Sequence, residues 1–148
     1  MRKFIGILIA LVLLLTLSGC ATSMVLGLKK GSYVPSGNPN KGYIYIYRTG
    51  GYFGCLRGIF VTANGKRIGG LNSGSYFVYE ADPGEITISV ENWLGENPSI
   101  KIMVEAGKKY YAKGSIEFGI IDATPTIDLI GEEQGEVEIR PLTYASFK

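Results

Sequence analysis

Residues 42–48 read "GYIYIYR", and the spacing within them decides the fold. Tyr43, Tyr45 and Tyr47 alternate with Ile44 and Ile46, a period of two. Successive side chains of a strand point to opposite faces, so a strand here sends the aliphatics one way and the phenols the other. A helix would mix the two kinds around its surface. The stretch therefore predicts a strand with one dry face and one aromatic face.

The same period continues through the rest of the chain. "GIFVTANGKRIGGL" (58–71) breaks its alternation at Asn64-Gly65, a pair suited to the positive φ angles of a type I′ hairpin. "SYFVYE" (75–80) predicts a strand closed by Asp82-Pro83-Gly84, where Pro presets φ and Gly accepts the left-handed region. "EITISVE" (85–91) sends Ile86, Ile88 and Val90 to one face. Ile100, Ile102 and Val104 predict another strand, turning at Gly107-Lys108 into a short strand over 109–113. Ile116, Phe118 and Ile120 mark a further strand. Ile127 with Leu129 and Val137 with Ile139 are expected to close the series as a hairpin across "GEEQG" (131–135). About seven to nine short strands with turn chemistry between them argue an all-β antiparallel β-sandwich, with no helix beyond a single turn.

Upstream, the chain has the layout of a secretory signal. Arg2 and Lys3 precede an apolar run over 4–17, which ends in Ser18-Gly19. The run is shorter than the ~20 residues a permanent membrane-spanning helix needs. Leu17-Ser18-Gly19-Cys20 resembles the lipobox of bacterial lipoproteins. That resemblance implies a diacylglyceryl group on Cys20, cleavage before it and acylation of the new amino group. Two or three acyl chains, at ~0.8 kcal/mol per buried methylene, hold a protein stably on a membrane.

The expected organisation is a signal peptide over 1–19, a lipidated N-terminus and flexible tether over 20–41, and a β-sandwich domain over 42–148. Gly, Ser, Pro, Asn and Lys dominate 21–41, and a flexible chain of that length reaches roughly 25 Å. Cleavage also changes the charge. The whole chain has 15 basic and 13 acidic residues, but with Arg2 and Lys3 removed the two kinds are equal. A nucleic-acid partner loses its electrostatic basis.

Several fragments resemble the bacterial lipoproteins of domain of unknown function 2846. They are "GYIYIYR" at 42–48, "ANGKRIGGLNSGSYFVYEADPGE" at 63–85 and "GEVEI" at 135–139. The resemblance implies a small β-sandwich and carries no activity, ligand or catalytic residue with it. "TGGYFGCLRG" (49–58) matches no motif of that family.

Chemistry is sparse. The chain has no histidine, which excludes Ser/His/Asp and Cys/His catalysis and histidine metal sites. Gly65-Lys66 is not preceded by a phosphate-binding loop. The carboxylates of Glu132, Glu133 and Glu136 lack the spacing of a calcium loop and suit a solvated hairpin tip. No enzyme, metal or cofactor is expected.

Binding is the open possibility. Tyr52, Phe53, Cys55 and Arg57 lie among four glycines in the loop over 49–58, and Trp93 lies in "NWLGENP" (92–98). Aromatic and Arg residues are the usual anchors of interfaces. The ordinary account of Phe53 and Trp93 is different: loops at a sandwich end fold back and plug its core. Cys55 becomes the mature chain's sole potential thiol, to be buried, bridged to another molecule or reactive.

The expected protein is thus a non-catalytic lipoprotein of the bacterial envelope, held in the outer membrane through Cys20 and facing the periplasm. Ala21, rather than Asp, follows the cysteine and resembles a release signal for that membrane. Its partner would be an envelope protein or the cell wall. Two alternatives are a component of a type VI-like secretion apparatus and a redox or covalent role for Cys55, where Arg57 would favour thiolate.

Overall fold

The computed structural model describes residues 29–30, 33–51, 57–118 and 123–146. They form ten strands and one helix: β1 (Lys29–Lys30), β2 (Gly42–Arg48), β3 (Ile59–Ala63), β4 (Lys66–Leu71), β5 (Ser75–Ala81), β6 (Gly84–Val90), β7 (Ser99–Val104), β8 (Lys109–Phe118), β9 (Ala123–Ile130), α1 (Glu132–Ile139) and β10 (Thr143–Ser146). Two sheets face each other, one ordered β1-β10-β5-β2-β8-β9 and the other β4-β3-β6-β7. The sandwich expected from the alternation is present.

Its core follows from the period-two reading. Ile44 and Ile46 of β2 are fully buried, and Val61, Leu71, Ile88 and Val90 from the smaller sheet meet them from the other side. Asn64 and Gly65 both have positive φ, 48° and 78°, and they turn β3 into β4 as a tight hairpin. Asp82-Pro83-Gly84 does something different from a hairpin. β5 belongs to the larger sheet and β6 to the smaller, so this turn is a corner that carries the chain across the core.

The middle motif of the chain serves that packing. A Cβ on Gly69 would lie 2.6 Å from Cζ of Phe77, so the absence of a side chain in β4 is what admits the Phe77 ring between the sheets. Ser75 Oγ accepts from Asn72 N at 3.0 Å and donates to Asn72 O at 2.8 Å, fixing the passage from β4 to β5. "GKRIGGLNSGSYF" is an architectural signature, with its conspicuous residues in turn, core and crossover.

Three expectations are corrected. Val137 and Ile139 do not pair with Ile127 and Leu129; residues 132–139 are the helix α1. Their spacing of two is compatible with a strand, but Glu132 and Glu133 in the first turn suit the positive end of a helix dipole. The pairing is also not purely antiparallel: β2 runs parallel to β8, and β10 parallel to β5. Finally, the two strands expected over 109–113 and 116–120 are one continuous strand up to Phe118, while Ile120 lies outside the described residues. Gly114, which looks like a break, sits opposite Ile127 in the ladder; its missing Cβ leaves room for Leu71.

Part of the segment read as tether lies against the larger sheet. β1 pairs with β10, and Tyr33 and Ser36 both donate hydrogen bonds to the Glu80 carboxylate. β1 passes from the level of Ser146 to that of Ala145, the direction in which β10 reaches Thr143 beside Ser75. It therefore runs towards the end of the sandwich where β2 finishes at Arg48.

Candidate binding site at one pole

That end of the sandwich gathers several connections. β2 leaves it at Arg48, β4 crosses to β5 through 72–74, β6 reaches β7 through 91–98, and β8 reaches β9 after Phe118. Arg57 and Trp93, distant in sequence, meet here. The Arg57 guanidinium carbon stands 3.5 Å from the centroid of the Trp93 ring, within cation–π range. Arg57 Nη1 also donates to the carbonyl of Ala123 at 2.8 Å, so one side chain joins three connections. Its Nη2 is buried without a hydrogen-bond partner among the described residues.

Below it, Arg48 is 4% exposed and donates from Nη1 to the Arg57 carbonyl at 2.5 Å. Burial holds the Arg48 pKa below its ordinary value. A small cavity of about 140 Å³ lies beside it, lined by Thr49, Gly50, Gly51 and Ser115 among others. Arg48 thus fixes the backbone at Arg57, and Arg57 fixes the indole.

Trp93 is not a plug. The residue is 62% exposed and its neighbour Leu94 60% exposed. The loop beneath is held by its own amides: Asn92 N donates to Asn97 Oδ1 at 2.8 Å, Leu94 N to Asn92 Oδ1 at 3.1 Å, and Asn92 Nδ2 to the Glu96 carbonyl at 3.2 Å. A groove of about 380 Å³ runs from this loop over the outer face of the smaller sheet, lined by Thr62, Gly65, Glu91, Asn92, Trp93 and Asn97. Glu91 is gripped by Arg67 through Nε at 2.8 Å and Nη2 at 2.5 Å. This groove was not legible in the sequence, because Thr62 and Glu91 come together only through the β3–β6 ladder.

Of the residues singled out from the sequence, Arg57 and Trp93 are brought together. Tyr52, Phe53 and Cys55 lie outside the described residues, as does Cys20.

The tyrosine face of β2 has another use. Tyr45 stacks on Tyr111 with centroids 5.1 Å apart, and Tyr33, Tyr76 and Tyr144 extend the aromatic layer. α1 lies on this layer. Tyr47, fully buried, donates to Glu138 Oε2 at 3.0 Å, and Lys113 pairs with the same oxygen at 2.8 Å. Burial first, then Glu138, pushes the Tyr47 phenol far above its ordinary pKa. These phenols form a second packed layer, as cross-strand aromatic pairs commonly do.

Among the described residues no group of three or more acidic side chains is placed to hold a metal ion. No helix among them is long and apolar enough to cross a membrane. No curated protein matches the chain significantly. The family model described as "Protein of unknown function (DUF2846)" matches residues 38–137, a span that includes β2 to β9, Arg57, Trp93 and most of α1, and the chain belongs to that family.

Proposed function

We propose that the protein is a lipoprotein of the bacterial envelope, tethered to the outer membrane through a lipidated Cys20, whose periplasm-facing β-sandwich is a non-catalytic binding module. The binding face is the pole that carries Arg57 and Trp93. The observation that carries this reading is an exposed indole held in place by a partly buried arginine. Keeping a large aromatic ring in water forgoes the stabilisation of burial, and fixing it there removes the entropy cost that a partner would otherwise bear. Tryptophan and arginine are also the residues most enriched at the centres of interfaces.

Two features support the orientation. The lipobox-like Leu17-Ser18-Gly19-Cys20 supplies the anchor. β1 runs towards the pole, so from Lys29 to Lys30 the chain advances in the direction of the Trp93 loop. A module built this way turns the Trp93 loop away from the bilayer.

The anchor is tested by labelling cells that express the wild type or Cys20→Ala with radioactive palmitate, then separating the membranes. The wild type is expected to carry label in the outer-membrane fraction and the variant to be unlabelled and released. Label persisting on Cys20→Ala contradicts the assignment.

A further inference from the structure

The groove beside Trp93 has a specific chemistry. Arg57 covers part of the indole at 3.5 Å, yet 62% of the residue is exposed, which leaves most of its surface open to solvent. The residues that line the groove with Trp93 carry amides and a carboxylate, Asn92, Asn97 and Glu91, while Thr62 is largely buried at its floor. Asn97 spends its oxygen on Asn92 N, which leaves its amide nitrogen as a donor. Glu91 is held by Arg67 through both oxygens, and a carboxylate has lone pairs left to accept more. Arg67 neutralises Glu91, the charged residue of the lining, and the Arg57 guanidinium is engaged by the indole and the Ala123 carbonyl. The volume of about 380 Å³ lies at the lower end of the range of about 300–1,000 Å³ for small-molecule sites.

Among uncharged ligands these features suit one class. A pyranose ring presents an apolar face of polarised C–H bonds, which suits the negative face of an indole, and hydroxyls around its rim. We propose that this groove binds a neutral, hydroxyl-rich saccharide unit of an envelope glycan, stacked on the solvent-exposed part of Trp93 and hydrogen-bonded by Asn97 and Glu91. This rests on the reading of the pole as the binding face and names its ligand. A lipid bilayer fits less well, since insertion of Trp93 and Leu94 would desolvate Glu91, Asn92, Glu96 and Asn97 around them.

Trp93 is the chain's sole tryptophan, so emission excited at the red edge, where the ten tyrosines do not absorb, reports on this site alone. The full lipidated chain, in a detergent without a sugar headgroup, is titrated with chitobiose, cellobiose and maltose, and with sorbitol as an acyclic polyol. At least one disaccharide is expected to change the emission saturably, and sorbitol to leave it unchanged. Asn97→Asp keeps the oxygen that holds Asn92 and removes the donor; it is expected to weaken binding about tenfold while thermal melting stays unchanged.

No saturable change with any disaccharide overturns the proposal, as does an equal response to sorbitol. An emission shift on vesicles of phosphatidylethanolamine and phosphatidylglycerol that no disaccharide competes away also overturns it. If disaccharides fail while position 94 still cross-links to an envelope protein in cells, the saccharide inference falls and the pole stands.

Discussion

Arg57 lies over the ring of Trp93, 3.5 Å from its centroid, and is itself fastened to the Ala123 carbonyl. The indole is therefore oriented by a neighbour that is partly buried. Arg57→Ala removes a cation–π contact of about 0.5–1 kcal/mol and a hydrogen bond of about 0.5–1.5 kcal/mol. Urea denaturation is expected to show a loss of about 1–2 kcal/mol, and acrylamide should quench Trp93 more efficiently. Unchanged quenching would mean that Arg57 does not orient the ring.

Gly135 sets the seat of α1. A Cβ there would lie 2.3 Å from Cγ of Tyr111, closer than any real contact. Alanine favours helix over glycine by about 1 kcal/mol, but here it forces the helix off the tyrosine layer. Gly135→Ala is expected to destabilise the fold by about 1–3 kcal/mol, measured by urea denaturation, and a gain in stability would show that the helix is not seated by this contact.

The helix is also where sequence legibility ends. β2, the Asn64-Gly65 turn and the buried face of β6 could be read directly, because a period of two and a turn dipeptide are local signals. α1 could not. Its apolar Val137 is largely exposed, so the segment has no amphipathic stripe to betray it. It is held instead by distant partners: Tyr111 against Gly135, Lys109 on Glu136, and Tyr47 with Lys113 on Glu138.

The parallel pairing of β2 with β8 is illegible for the same reason, since the intervening chain passes through the other sheet. The pole lay halfway: Arg57 and Trp93 stood out as residue types, but their meeting and the groove beside them depend on which connections share an end.

The Glu80 carboxylate fastens the segment that precedes β2. Hydrogen bonds from Ser36, side chain first and backbone second, hold its pKa below the ordinary 4.5, with Tyr33 adding a third. A depressed carboxylate stabilises the fold fully above its unfolded value and loses that contribution as pH falls through the lower folded value. Hydrogen exchange at the Ser36 amide is expected to be slow near neutrality and to accelerate, relative to β2 amides, once the pH falls below the ordinary carboxylate range. Glu80→Gln should exchange fast at both. A pH-independent ratio in the wild type would contradict the fastening.

The phenols beneath α1 give the opposite limb. Burial, then Glu138, raises the Tyr47 pKa, and burial with Glu136 raises that of Tyr111. These rings stay neutral in the fold while unfolded tyrosines ionise near 10, so their contribution is complete below about pH 10 and lost as pH rises. Ultraviolet titration is expected to show a tyrosine fraction that ionises only on alkaline unfolding. Tyr47→Phe should leave that fraction smaller.

The central claim is that the Trp93 pole is the face presented to a partner. Leu94 and Met103 are both exposed apolar residues, but Leu94 lies at that pole, and Met103 lies one residue before the opposite end of β7. A photo-cross-linking amino acid is placed at one or the other position in the full chain, and cells are irradiated. Discrete cross-linked species are expected from position 94, lost when Trp93→Ala is added, and none from position 103. Cross-links from position 103 in place of 94, or from 94 regardless of Trp93, would contradict the account.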